Sequence, residues 1–258
     1  MALLHVDFFS DVLGMCAEMD VILPERTRGQ IGMEGKRGEG KYPVLYLLHG
    51  MSDDHTIWQR RTSIERYAAD YGIAVVMPST QLGWYTDMHI GFPWFTYITQ
   101  ELPAICRSFF PNMSEKREDT FVAGLSMGGY GAMKLALTYP ERFAAAASFS
   151  GAVDAEALLR KREPRPTMRR AFGTAKAFHG SENDLFHLME ENAQAPHKPR
   201  LYVACGTEDF LFGHHKKFVP ALEKNGWDVT HEETPGFGHE WAYWDAQLAA
   251  FLPFALGD

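Results

Sequence analysis

The chain has 258 residues, 46% of them hydrophobic, enough to bury one large core, and α/β chains of this length commonly fold as one unit, so a single domain over residues 1–258 is expected. A formal net charge of -8 and a pI near 5.8 leave no basic footprint for phosphates, which argues against nucleic acid and anionic membrane surfaces as partners. Cys16, Cys106 and Cys205 are odd in number and far apart, giving neither a disulfide framework nor a C-x-x-C spacing; without a basic n-region at the start or an apolar run near the ~20 residues of a membrane span, a cytoplasmic location is expected.

Along the chain, residues 12–23 read as a strand and residues 26–41, rich in glycine and charge, as an exposed hairpin loop. Short apolar runs then follow at 42–48, 73–77, 120–123, 144–149 and 201–204, with a final strand at 229–233. Continuous runs of this kind suit strands buried on both faces, as in a parallel sheet. Helical periodicity at 57–71, 95–109, 127–139, 215–225 and 241–251 places helices between them, which makes the fold class α/β with helices on both faces. The stretch 154–199 breaks this rhythm and reads as an insertion at the carboxyl edge of the sheet, where insertions tend to shape a site. Its charge cluster, Arg160, Lys161, Arg162, Arg165, Arg169 and Arg170, reads as a solvated face, with a basic rim that attracts an acidic substrate group as the alternative.

The segment Gly124-Leu125-Ser126-Met127-Gly128 follows the apolar run Thr120-Phe121-Val122-Ala123 and precedes a helical pattern thinned by Gly129 and Gly131. This is the G-x-S-x-G nucleophile elbow, in which flanking glycines admit a sharp strand-to-helix turn that pushes the serine hydroxyl above the sheet. A serine needs a base to take its proton and an acid to orient that base. Asp209 lies where the strand 201–204 opens into a loop and is preferred over the adjacent Glu208, since neighbours in an extended loop face different ways. Among eleven histidines, His239 sits on the Gly-flanked loop Pro235-Gly236-Phe237-Gly238-His239 before the last helix, giving the chain order Ser, Asp, His. His214 and His215 lack H-x-x-x-H or H-E-x-x-H spacing and read as surface or capping residues rather than metal ligands.

Developing negative charge on a carbonyl oxygen needs donors. The Met127 N–H follows the nucleophile, and the turn His49-Gly50-Met51-Ser52 can aim the Met51 N–H at the same place. Trp84, Tyr85, Phe92, Trp94, Phe95 and Tyr97 cluster after the strand 73–77, and Trp94, with Gly50, is a candidate to line a substrate pocket.

The motifs His49-Gly50-Met51-Ser52, Gly124 to Gly131, Cys205-Gly206-Thr207-Glu208-Asp209-Phe210-Leu211 and Gly238-His239-Glu240-Trp241 together resemble the esterase D branch of the α/β-hydrolases: tributyrin- and acetyl-type esterases, S-formylglutathione hydrolases and antigen 85 mycolyltransferases. The resemblance implies an α/β-hydrolase fold, Ser126 as nucleophile, His239 as base and acid, Asp209 as its orienting partner, the amides of Met51 and Met127 as oxyanion hole, and no metal or organic cofactor. It further implies a small-molecule ester substrate and is compatible with a homo-oligomer, dimer or tetramer. His49-Gly50-Met51-Ser52-Asp53-Asp54 is closest to the acetyl esterase type, so short-chain acyl esters, including acetylated carbohydrates, are the expected substrates. S-formylglutathione hydrolysis is the alternative, and a non-catalytic binding protein on the same fold is the alternative from another class.

Overall fold

The computed structural model describes residues 1–27, 29, 31, 35 and 40–257, so most of the loop expected at 26–41 lies outside the described residues. Eight strands form one sheet: β1 (Ala2–Ser10), β2 (Met15–Leu23), β3 (Val44–Leu48), β4 (Ala74–Pro78), β5 (Thr120–Leu125), β6 (Ala145–Phe149), β7 (Arg200–Gly206) and β8 (Val229–Thr234), in spatial order β1-β2-β4-β3-β5-β6-β7-β8. β1 and β2 pair antiparallel, β2 runs antiparallel to β4, and β4 through β8 are mutually parallel. The apolar runs do become the buried strands, with every residue of β4 and β6 buried.

Strand alternation divides the core in two. Phe121, Ala123 and Leu125 of β5 face the layer of Trp244, Leu248 and Phe251 from the last helix, Trp241–Leu256, whereas Val122 faces the layer of Tyr130 and Met133 from the helix Met127–Thr138. Helices therefore cover both faces, the doubly covered arrangement of the α/β-hydrolase fold.

Three elements differ from the sequence expectation, and in the first the helix expected over 57–71 is two, Ile57–Arg61 and Ile64–Tyr71, parted where Thr62 turns extended. The strand expected over 12–23 begins only at Met15, because Asp11–Gly14 is the turn of a hairpin whose first arm, β1, carries the weaker alternating pattern of an edge strand. Gly14 takes φ 66° to close that turn. The helix expected over 95–109 instead passes from Trp94–Thr96 through a π turn, Tyr97–Glu101, into Leu102–Phe109. Pro103 has no N–H for the Thr99 carbonyl, which accepts from Arg142 Nη1 at 2.9 Å instead. The π turn also brings Glu101 to the hairpin, where its Oε1 accepts from the Asp11 N–H at 2.7 Å.

The chain runs from β3 to β4 on one side and then crosses back to β5 on the other, so β3 and β5 are neighbours at the topological switch point. Ligands of open α/β sheets bind outside the carboxyl ends of strands at such a point. The insertion leaves the carboxyl end of β6 and folds as short helices, Ala155–Leu159, Pro166–Phe172, Ala175–Phe178 and Leu185–Glu191. All six of its clustered basic residues are exposed.

Candidate active site

At the end of β5, Ser126 takes φ 52° and ψ -112°, a conformation that an L-residue adopts only under constraint. The constraint is visible on both sides: the Ser126 N–H donates to the Phe149 carbonyl at 2.9 Å, and its own carbonyl accepts from Tyr130 N at 3.1 Å and Ala152 N at 3.0 Å. A Cβ at Gly124 would lie 2.4 Å from the backbone of Gly128, and one at Gly128 would lie 2.3 Å from the Leu48 carbonyl oxygen and 2.6 Å from that of His49. Both glycines are thus needed for close approach: the first lets the helix fold back on its own strand, the second lets it reach the end of β3.

The loop after β3 is held by an imidazole. His49 Nε2 accepts from the Thr80 N–H at 3.0 Å, so its proton sits on Nδ1, which donates to the Gly50 carbonyl at 2.7 Å. Burial keeps this ring neutral, pulling its pKa down to about 4. Because the Gly50–Met51 peptide is planar, anchoring the Gly50 oxygen on His49 turns the Met51 N–H the opposite way. The Tyr85 hydroxyl donates to the His49 carbonyl at 2.9 Å and the Trp58 indole to that of Leu48 at 3.0 Å, which fix the loop from behind. Gly50 has no room for a side chain, since a Cβ would meet Leu125 Cδ1 at 2.4 Å; its role is close packing on the elbow. Met127 opens the helix, and the first N–H groups of a helix have no acceptor within it.

The two remaining candidates meet directly. Asp209 Oδ2 accepts from His239 Nδ1 at 2.8 Å, and Oδ1 accepts from the Leu211 N–H at 2.8 Å. Burial by itself would raise the Asp209 carboxyl; the bonds from His239 and the Leu211 N–H outweigh it and hold the group below its ordinary value. With Nδ1 donating to Asp209, Nε2 of His239 is left to accept a proton. Glu208 is exposed and makes its contact through the backbone, donating its N–H to the Phe237 carbonyl at 3.0 Å.

The His239 ring is bracketed by Trp244, edge-on at 4.8 Å, and by Phe210, tilted at 4.5 Å. Trp244 donates in turn to Ser150 Oγ at 3.1 Å, so the His239 ring is indirectly linked to the end of β6. Sequence pattern did not point to Ser150 or Trp244, and Phe210 entered only as a neighbour of Asp209 in its motif, with no role. Phe210 is 72% exposed, beside the His239 ring.

Trp94, by contrast, is 3% exposed, its ring filling the space over Gly83 and packing against Tyr97 and Phe92, so its place is in the wall. The insertion reaches over the site through Arg165, whose Nη1 lies 3.5 Å from Met51 Sδ. It is fastened to the elbow helix through the buried Lys134, which donates to Asn183 Oδ1 at 2.6 Å and to Thr86 Oγ1 at 3.0 Å. Of the two residues expected to be surface or capping histidines, only His215 departs: His214 is half-buried, its Nδ1 accepting from the Asp154 N–H at 3.2 Å, whereas His215 is buried, and burial lowers its pKa to about 4.

The Esterase family model matches residues 18–255. The chain belongs to that family. An acetyl esterase of Caldicellulosiruptor saccharolyticus is 30% identical over 96% of each chain. Two solved structures from Staphylococcus aureus superpose closely: the fluorophosphonate-binding serine hydrolase FphF, with TM-score 0.88 and 32% identity over 100% of this chain and 99% of that one, and the S-formylglutathione hydrolase FrmB, with TM-score 0.85 and 33% identity over 99% and 98%. The protein is a serine esterase with the α/β-hydrolase fold. No helix among the described residues is long and apolar enough to cross a membrane.

Proposed function

We propose that the protein hydrolyses short-chain acyl esters of the acetyl type, acetylated carbohydrates among them, through an acyl-enzyme on Ser126, and that it does so as one cytoplasmic hydrolase domain. The observation that carries the proposal is the Asp209–His239 hydrogen bond of 2.8 Å at the carboxyl edge that also bears the constrained Ser126. In the first half-reaction His239 Nε2 takes the hydroxyl proton as Ser126 Oγ bonds to the acyl carbon. The carbonyl electrons move onto an oxyanion that the Met51 and Met127 amides stabilise, and their return expels the alcohol, which leaves with the proton from His239. Water then repeats the sequence on the acyl-enzyme and releases the acid, restoring Ser126.

The short-chain preference rests on the wall behind the elbow, where Trp84, Tyr85 and Trp94 are packed at 2%, 0% and 3% exposure, and on the likeness to the acetyl esterase. Ser126→Ala should lower turnover on p-nitrophenyl acetate by about 10⁶-fold. In the parent, rates should fall along an acyl series from two carbons; a maximum at eight or more would overturn the short-chain assignment. Thioester hydrolysis is the second reading, favoured by the likeness to FrmB, and the ratio of rates on S-formylglutathione and on acetyl esters decides between the two. A non-catalytic role gives no reason to retain a backbone as costly as that of Ser126.

A further inference from the structure

Between the helix Phe212–Lys224 and the edge strand β8 lies a second group of ligating side chains, apart from the elbow. His215 is 3% exposed, and neither of its ring nitrogens has a hydrogen-bond partner among the described residues. Its Nε2 points toward Glu233 Oε1 at 3.4 Å without hydrogen-bond geometry, and its ring faces that of His231 at 6.0 Å. His231 and Glu233 are two apart on β8, so the pleat puts both on one face. One ligand atom from each of the three residues lies within 4.8 Å of the others.

We propose that His215, His231 and Glu233 form a binding site for a divalent transition cation of the zinc class, distinct from the esterase machinery. Two imidazoles and one carboxylate suit zinc, whereas calcium and magnesium call for oxygen donors throughout. Donors around a tetrahedral zinc ion sit about 2.0–2.2 Å from it and so about 3.4 Å from one another, the separation that His215 Nε2 and Glu233 Oε1 already have, which leaves His231 as the ligand that draws in. His231 is the exposed member and supplies the swing. Water takes the fourth position. Lys216, whose Nζ is 3.3 Å from Glu233 Oε1, is the competing cation, and at 58% side-chain exposure it can turn into solvent when the ion enters.

The location gives the ion a purpose. The helix that carries His215 follows the loop of Asp209, and β8 leads into the loop of His239, so a shared ion ties together the two elements that hold the acid–base pair.

The test uses the full-length protein stripped of metal with a chelator and titrated with Zn²⁺ by calorimetry, with Co²⁺ as an optical probe of tetrahedral coordination. One equivalent should bind, with tetrahedral Co²⁺ absorption and a zinc-dependent rise in Tm. His231→Ala and Glu233→Gln, both away from the deep core, should weaken the affinity by at least about 10-fold, since the loss of an outer-shell partner alone costs 10–100-fold. His239→Ala should retain it, which separates this site from metal captured by the catalytic histidine. No saturable binding, or binding equal in the parent and in both ligand variants, would overturn the proposal.

Discussion

The carboxyl and amino ends of the parallel strands are built differently. In the loops that leave the carboxyl ends of β3 to β6, six non-glycine residues take positive φ: Ser52 at 71°, Gln81 at 51°, Trp84 at 54°, Tyr85 at 50°, Ser126 at 52° and Ser150 at 48°. Among the described residues no non-glycine residue at the amino ends does so. The amino side carries a cavity of about 460 Å³, lined by Met113, Thr120, Arg142 and Phe143. Constrained backbone, at about 1–3 kcal/mol per residue, is kept only where surrounding structure over-determines it. On the proposed reading, chemistry sits at the constrained end and not at this cavity.

That contrast is broken most severely at Ser126. Ser126→Gly removes both the proposed nucleophile and the Cβ that makes φ 52° costly, so turnover should fall about 10⁶-fold while stability rises by about 1 kcal/mol. Calorimetric Tm values measured beside the assay check both halves, and a lower Tm would show that the elbow is not strained. His49→Gln should cost about 10²–10³ in kcat, the usual loss for one oxyanion donor, because the Met51 amide is no longer held in direction, and KM should change little. Steady-state kinetics on p-nitrophenyl acetate separate the two constants.

The same histidine gives a pH signature. His49 is neutral in the fold with its pKa lowered to about 4, while the unfolded chain takes up that proton near 6.5. The unfolded state thus binds more protons between these values, and stability falls as pH drops from 6.5 towards 4, by up to about 3 kcal/mol from this one group. Denaturant melts across that range should be flatter for His49→Gln than for the parent. Gly128→Ala, which sets a methyl 2.3 Å from the Leu48 carbonyl oxygen, should cost about 1–3 kcal/mol and part the elbow from the oxyanion loop, as read by Tm and kcat together. At the amino side, Lys41→Ala, which removes an exposed pair with Glu115, should leave kcat/KM and Tm where they were.

How much of this was legible in the sequence depended on the range of the interactions involved. β3 to β7 were readable because strands buried on both faces carry continuous apolar runs, and the elbow was readable because close backbone approach demands glycines at fixed spacing. β1 was missed because an edge strand alternates and carries a weaker signal. The π turn before Pro103 was missed because its compensation, Arg142 on the Thr99 carbonyl, comes from a distant part of the chain. Asp209 could be preferred to Glu208 from local geometry, but the inward turn of Trp94 follows from packing over Gly83. The histidines show the same limit: the helix spacing at His214 and His215 carries no ligand pattern, and only the fold brings His231 and Glu233 beside His215.

The central claim is that Ser126, activated by the His239–Asp209 pair, is the nucleophile. A fluorophosphonate tests it directly, since attack forms a bond from the serine oxygen to phosphorus and expels fluoride. Intact mass and peptide mapping should find one adduct per chain, on Ser126, forming far more slowly in His239→Ala; an adduct on Ser52 or Ser150, or labelling at an unchanged rate without the imidazole, would contradict the account.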